Sequence, residues 1–453
     1  MLRFTLALLL AATLAVSSCS AARWSITHRD TLALDANGFT VAELSGVAYD
    51  ATQSSPLIHV FNAVQDDGSG VVEFRLTMTP SDAVLWTTAT ASYAFSVGRD
   101  DEGIAISADP DVVLVSEEGT PSLRQIRLSD GAVLSVVAAP AVFSTARANR
   151  GFESAATWSV ANSGFRLATV NEEALTIDGP TANTSNGTMV RVQTYDLTGN
   201  SSSALTATAT KQFAYEVDPI HAGTSTNSST RSGLSELVAM PDKTLLALER
   251  SAAIALPGFQ NRLYEIDSSA ATDTNATAFD AGLAGATYTP AAKQSLWTGT
   301  IGSGIGQNLE GLTVGPQLDN GNWLLVGVVD DGDQFSSNTI VTFEAAPIVS
   351  ADFDDSSKID GGDFLLWQRE AGASQFLSDA FDADGNRDGN VDGDDRALWQ
   401  SIFGNAAFVS SDAIPEPSSL CLALLATACL AQRCRRIHLL ALHAGMWVTE
   451  SFQ

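Results

Sequence analysis

Leu44-Ser45-Gly46-Val47-Ala48, Asp101-Glu102-Gly103-Ile104-Ala105, Phe152-Glu153-Ser154-Ala155-Ala156, Leu234-Ser235-Glu236-Leu237-Val238 and Leu309-Glu310-Gly311-Leu312-Thr313 decide the fold. Each leads from a polar or acidic residue into a short apolar run. Most are followed by a second apolar run that ends in acids: Val113 to Glu117 and Glu118, Leu167 to Glu172 and Glu173, Leu245 to Glu249, Leu324 to Asp330 and Asp331. A third run often follows, as in Leu123 to Leu128, Val190 to Tyr195 and Arg262 to Ile266. The runs are short, alternating or apolar, and bounded by Gly, Asp, Asn and Ser, while helical periodicity is weak from residue 24 to 347. This region is expected to be all β. Five recurrences spaced by about 50 to 80 residues are what radial repetition of small sheets produces, so the expectation is a β-propeller of about six blades. Ser268 to Thr300 is too divergent to align with the rest.

The chain has 453 residues, 24 of them basic and 52 acidic, for a net charge of −28. Such a field repels phosphates and argues against nucleic acid as a partner. Hydrophobic residues make up 45% and charged ones 17%, which is core material rather than the composition of a disordered acidic tail.

Both ends suggest export. Residues 1–22 place Arg3 before an apolar run from Phe4 to Val16 and then small residues, the layout of a signal peptide. Val16-Ser17-Ser18-Cys19 also resembles a bacterial lipobox, which implies a lipid on Cys19; the alternative is ordinary cleavage near Ala21 or Ala22. No cysteine occurs between Cys19 and Cys421, so the folded part is expected to hold no disulfide and no Cys-ligated zinc. At the other end a linker, residues 407–417, closes on Ile414-Pro415-Glu416-Pro417. An apolar stretch and Arg433, Arg435 and Arg436 follow within residues 418–436, and then a tail, residues 437–453. This resembles the PEP-CTERM sorting signal of bacteria. The resemblance implies a short, transient transmembrane helix, removal of the tail by an exosortase, and release to the cell envelope or extracellular matrix; a retained membrane anchor is the alternative.

Residues 350–406 carry the clearest chemistry. Two segments align with an offset of 32 residues: Asp352, Asp354, Ser356, Lys358, Asp360 and Asp363, and Asp384, Asn386, Asp388, Asn390, Asp392 and Asp395. Each places side-chain oxygens at loop positions 1, 3, 5, 9 and 12 and a backbone carbonyl, from Lys358 or Asn390, at position 7. That spacing wraps the chain around a hard cation needing six to eight oxygens, which is calcium. A helical run follows each loop, Phe364 to Glu370 and Arg396 to Phe403, with Trp367 and Trp399 at matching offsets. No helix is expected before either loop, and position 12 is Asp. The pair resembles a type I dockerin domain, which implies calcium as cofactor and a cohesin-like or other envelope protein as partner. Ser356 stands where an acid is usual, so the second loop is expected to bind more tightly.

In a propeller the strand ends of every blade approach the axis on one face. Glu102, Glu153 and Glu310, with Glu117, Glu172, Glu249 and Asp330, are therefore expected to form a ring of carboxylates, neutralised by calcium or by Arg150 and Arg250. The alternative is structural: strand-end acids pair with neighbouring arginines or accept turn amides. Asn149-Arg150-Gly151-Phe152-Glu153, Asn171-Glu172-Glu173-Ala174-Leu175, Gly233-Leu234-Ser235-Glu236-Leu237, Leu246-Ala247-Leu248-Glu249-Arg250, and Asn308-Leu309-Glu310-Gly311-Leu312 closing on Val329-Asp330-Asp331 resemble the phytase-like domain, also described as esterase-like activity of phytase. The resemblance covers residues 40 to 345. It implies hydrolysis of phosphate or carboxylic esters, with Glu153, Arg150, Glu310 and Arg250 as the catalytic candidates. His28, His59 and His221 are the only histidines between signal and sorting motif, and there is no Gly-x-Ser-x-Gly elbow, which argues against an α/β-hydrolase triad. There is no phosphate-binding P-loop, and Gly302-Ser303-Gly304-Ile305-Gly306 reads as a flexible turn. Two functions remain at this point: a calcium-dependent hydrolase, or a non-catalytic propeller that binds a glycan or protein and uses calcium structurally.

Overall fold

The computed structural model describes residues 22–403, apart from 69, 108, 161–163, 199–204, 224–229, 355, 357 and 373–381. The signal peptide with Cys19, the Pro-Glu-Pro motif, the proposed transmembrane helix at 418–436 and the tail lie outside the described residues. Among the described residues no helix is long and apolar enough to cross a membrane.

After strand β1 (Trp24–Asp35), the chain lays down four antiparallel four-stranded meanders in succession. They are β2 (Leu44–Ser55), β3 (Ile58–Gln65), β4 (Gly70–Met78) and β5 (Val84–Ala94); then β6 (Asp101–Ile106), β7 (Val112–Glu117), β8 (Ser122–Arg127) and β9 (Val133–Ala138). Next come β10 (Ala156–Val160), β11 (Gly164–Val170), β12 (Thr188–Thr198) and β13 (Thr206–Val217), followed by β14 (Arg231–Ala239), β15 (Leu245–Ala252), β16 (Phe259–Asp267) and β17 (Ala292–Gly299). The last sheet is a composite. β18 (Asn308–Gln317), β19 (Trp323–Asp330) and β20 (Thr339–Pro347) need a fourth strand, and β1 supplies it by pairing antiparallel with β20 from Trp24↔Pro347 to Ala33↔Thr339. At its far end β1 also pairs parallel with β5, at Leu34↔Thr87 and Asp35↔Thr88, which joins the first and last sheets into one eight-stranded sheet.

The first strands of the five sheets close a ring: β2 packs on β6, β6 on β10, β10 on β14, β14 on β18, and β18 on β2. Five hydrophobic cores lie between successive sheets. The core between the last sheet and the first holds Phe61 and Phe74, stacked at 5.3 Å, against Leu324, Val326 and Ile340. The others join first to second, second to third, third to fourth and fourth to fifth. Each fully buried Leu, Val or Phe in these cores contributes about 1.5–3 kcal/mol. This is a five-bladed arrangement, one blade fewer than expected. The divergent stretch from Ser268 to Thr300 forms a loop and β17, the outer strand of the fourth blade, not a blade of its own.

The recurrent motif explains the tight ring. A Cβ at Gly46 would lie 2.4 Å from Glu102 O, one at Gly103 2.5 Å from Ser154, and one at Gly311 2.2 Å from Ser45 O. Glycine after Ser45, Glu102 and Glu310 lets adjacent inner strands touch backbone to backbone. Near this point the ladder shifts register, between Leu44 and Val47, Asp101 and Ile104, Leu234 and Glu236, and Leu309 and Gly311. Below the shifts the inner strands enclose an axial cavity of about 200 Å³ lined by Val47, Ala105, Ala155, Glu236 and Leu312.

Among the described residues two helices follow the propeller, α1 (Gly361–Glu370) and α2 (Gly393–Ile402). Each begins three residues earlier than the apolar run suggests, because a capping box starts it: Asp360 with Asp363, and Asp392 with Asp395.

Candidate functional site

Strand ends on one face of the propeller bring acids from separate blades to one mouth. Glu102 enters on β6 and accepts a hydrogen bond from Ser45 Oγ on β2. Glu153 precedes β10, Glu310 lies on β18, Glu118 and Glu172 follow β7 and β11, and Asp330 ends β19. One carboxylate oxygen each of Glu118, Glu153 and Glu172 lies within 4.8 Å of the others, and the same holds for Asp100, Glu102 and Glu118. All but Asp100 and Asp330 are buried.

Two arginines cross this cluster. Arg250 Nη2 donates to Glu172 Oε1, and Arg250 Nη1 donates to Asn308 Oδ1 at 2.7 Å and to Glu310. Arg150 Nε lies 2.9 Å from Glu172 Oε2 and 3.6 Å from Glu173 Oε1, and its Nη1 is 3.4 Å from Glu118 Oε1. Asn308 Nδ2 ties the far side together, donating to Glu310 Oε1 at 2.9 Å and Asp330 Oδ2 at 2.6 Å. Burial works against the Arg250 charge, but Glu310, Glu172 and Glu153 outweigh it and hold its pKa above the ordinary value.

The carboxylates remain under-neutralised. Burial, reinforced by Glu172, pushes Glu118 up to about 8; burial, reinforced by Glu310, Asp330 and Glu43, does the same for Asp66. Glu310 rises to about 7 through burial even with Arg250 opposing. Glu173 rises to about 7 through burial and Glu172. Glu102 and Glu153 are pushed well above the usual carboxylate range, first by burial and then by their acidic neighbours. Glu153 Oε1 is buried with no hydrogen-bond partner. An all-oxygen donor set with excess negative charge and an open buried oxygen fits a hard divalent cation, calcium above all.

The structure thus gathers Glu102, Glu153, Glu310, Glu172, Asp330, Arg150 and Arg250 in one place. Glu249 and Glu117 do not join them. Glu249 faces away from the axis, held by Lys293 Nζ at 2.6 Å and Tyr215 Oη at 2.7 Å, because its neighbour Arg250 takes the inward direction on β15. Glu117 pairs with Arg99 at 3.1 Å and Ser122 at 3.0 Å, and Glu118 beyond it turns to the mouth. Sequence reasoning left Asp66 and Asn308 without a role. Asp66 had a legible signal, since Val60 to Gln65 followed by Asp66 and Asp67 repeats the pattern of an apolar strand ending in acids. The three histidines are engaged elsewhere: His28 with Thr31, His59 with Tyr49, His221 with Ser251.

The duplicated loops form a second candidate centre. Asp363 accepts Phe353 N at 2.6 Å and Asp354 N at 3.2 Å on Oδ1, and Asp360 N at 2.7 Å on Oδ2. Asp395 repeats this with Gly385 N at 2.9 Å, Asn386 N at 3.2 Å and Asp392 N at 2.8 Å. The helices clasp reciprocally: Trp367 Nε1 donates to Asp392 O at 2.6 Å and Trp399 Nε1 to Asp360 O at 2.9 Å. Oxygens of Asp352, Asp354 and Asp363 converge within 4.8 Å. In the second loop Asp384 Oδ1 and Oδ2 accept Asp388 N at 3.2 Å and Gly389 N at 2.9 Å.

Residues 40–333 match the family described as phytase-like, esterase-like activity of phytase. No curated protein matches the chain. Among solved structures, similar chains include the endo-arabinase of Bacteroides thetaiotaomicron (9% identity, 71% of this chain and 99% of that one, TM-score 0.38) and the α-L-arabinanase of Penicillium chrysogenum complexed with arabinobiose (8% identity, 71% and 98%, TM-score 0.33). A thermostable family-43 glycoside hydrolase is comparable (6% identity, 68% and 91%, TM-score 0.36). At these scores the three likenesses transfer no activity to this chain.

Proposed function

We propose, since the chain belongs to the phytase-like family, that the propeller mouth is a calcium-dependent site for hydrolysis of phosphate or carboxylic esters. The observation that carries the reading is the convergence of Glu102, Glu118, Glu153, Glu172 and Glu310 with Arg150 and Arg250 at one mouth. Calcium held by Glu102, Glu118, Glu153 and Glu172 would offset their charge, attract the ester's oxygens and acidify a bound water. Arg150, whose side chain is 18% exposed, is placed to bind an incoming phosphoryl or carboxylate oxygen with its planar fork. Arg250 commits both Nη groups to Glu172, Glu310 and Asn308, so it orients the carboxylates rather than reaching for substrate. Glu153, which would hold the cation through its open Oε1, keeps its second oxygen as the group suited to accept a proton from an attacking water.

Around this site the reading places an exported protein of the bacterial envelope or matrix: a cleaved signal or a lipid on Cys19, a PEP-CTERM tail processed by an exosortase, and a dockerin-like calcium module formed by the two loops. The commitment of both Arg250 Nη groups to neighbouring protein side chains favours the second reading, a non-catalytic binding propeller in which calcium is a structural staple. A panel of aryl phosphates and aryl esters, assayed with calcium and with chelator, separates the two. Glu153→Gln is expected to abolish turnover and Arg150→Ala mainly to raise KM. Activity that neither substitution nor chelator alters would sink the hydrolase reading, and absence of any turnover while calcium still raises the melting temperature would favour the staple.

A further inference from the structure

We infer that the second calcium loop has its partner within the same chain: calcium at Asp384 to Asp395 fastens that loop onto the propeller's turn between β14 and β15. The inference rests on the calcium reading of the loops.

The contact is built from opposed, specific groups. Lys243 Nζ, at the tip of the turn, donates to Gly389 O at 2.9 Å. The same glycine's N–H donates to Asp384 Oδ2, the first ligand of the loop, at 2.9 Å. One residue therefore joins the ligand set to the propeller. Gly389 sits at φ +88, and a Cβ there would lie 2.6 Å from Pro241 O, so the turn is pressed against the loop at a position where the chain carries no side chain. Around it Arg23 Nη2 donates to Asp382 Oδ1 at 3.1 Å and Ser350 N to Gly385 O at 3.1 Å. The turn is rigid on its own side: Lys243 N donates to Met240 O at 2.8 Å, and Asp242 is held by Trp24 Nε1 at 3.0 Å and Thr244 Oγ1 at 2.7 Å. Asp384 and Gly389 are buried there, whereas Asp354, Ser356 and Lys358 of the first loop are exposed.

The physical consequence is linkage. Ligand carboxylates crowded without a cation repel one another and loosen the loop, which releases the Gly389 carbonyl from Lys243. Calcium that draws Asp384, Asn386 and Asp388 together holds that carbonyl in place. If calcium tightens the dock, the dock must raise the loop's calcium affinity by the same factor. The docked loop face is also closed to any other protein, which leaves the first loop and the exposed side of the helices as the module's outward surface.

The test uses the full chain, stripped with chelator and titrated with calcium alone, followed by calorimetry and by amide hydrogen exchange. Calcium is expected to slow exchange of the Lys243 and Thr244 amides, which belong to the propeller and touch no calcium ligand. Lys243→Glu is expected to weaken one of the two binding steps by about tenfold, the scale of a hydrogen bond from a charged donor, and to abolish that protection. Lys243→Arg, which keeps a cationic donor, should preserve both. Calcium binding that protects residues 384–390 but leaves the turn's exchange and the Lys243→Glu affinities unchanged would overturn the dock alone. Absence of calcium-dependent protection in both loops would overturn the module reading and the inference with it.

Discussion

Asp363 and Asp395 engage both carboxylate oxygens with backbone amides from within their own loops, whereas at the propeller mouth Glu153 keeps a buried oxygen with no partner and two of its acidic neighbours, Glu102 and Glu118, come from another blade. In the loops one short stretch of chain supplies the ligands and the turns that aim them, so a cation would fold the site as it binds. At the mouth the five interlocked cores fix the carboxylates in place, and their mutual repulsion is set against the stability of the whole propeller. Similar oxygen chemistry therefore has two energetic settings, one local and one imposed by the fold.

Protonation of the mouth tests the imposed setting. Glu118 and Asp66 are pushed up to about 8, and Glu310 and Glu173 to about 7. Their folded pKa values exceed the unfolded ones, so the folded state holds protons that the unfolded state has released. That stability is fully present below about pH 4, the unfolded carboxylate range, and is lost as pH rises through 7 to 8. In calcium-stripped protein the propeller's melting temperature should therefore fall steeply from pH 5 to pH 8, by the equivalent of several kcal/mol at about 1.4 kcal/mol per shifted unit. Calcium should restore most of the loss at pH 8, where its ligands are ionised. Calorimetry showing a flat profile without calcium would remove the distinction between the two settings.

A smaller effect comes from Arg250→Ala. Removing the guanidinium leaves Glu172 and Glu310 buried without their counter-charge, and about 3–5 kcal/mol of propeller stability should go with it. Denaturant unfolding measures this, and the loss should shrink when calcium is added. Loss of the same size with and without calcium would mean that the cation does not share the Arg250 environment.

A finer distinction lies between the two loops. Asp363→Ala and Asp395→Ala each remove three backbone hydrogen bonds to a carboxylate, and each should reduce the helicity of α1 and α2 measured by circular dichroism. Asp395→Ala should cost about 1 kcal/mol more, because its loop also carries the contact with Lys243. Equal losses would make the two loops energetically equivalent.

The features legible in the sequence are local. The five motifs, the strands behind them and the two oxygen-rich loops are each encoded by contiguous residues, and period-two alternation or fixed loop spacing makes them legible. Asp66 was legible too, from the same apolar-strand-then-acid pattern. Blade number was decided elsewhere, by β1 returning from the start of the chain to complete the last sheet beside β20 and by β17 serving as an outer strand. The tertiary structure alone chose Glu118 over Glu117 and Arg250 over Glu249 at the mouth. Alternation says that neighbours point to opposite sides, but only packing around the axis, with register shifts such as that between Leu234 and Glu236, says which side is inward. Seating the second loop against Pro241 and Lys243 likewise brings together residues about 150 positions apart, a pairing that loop-closure entropy opposes and that only the assembled propeller surface provides.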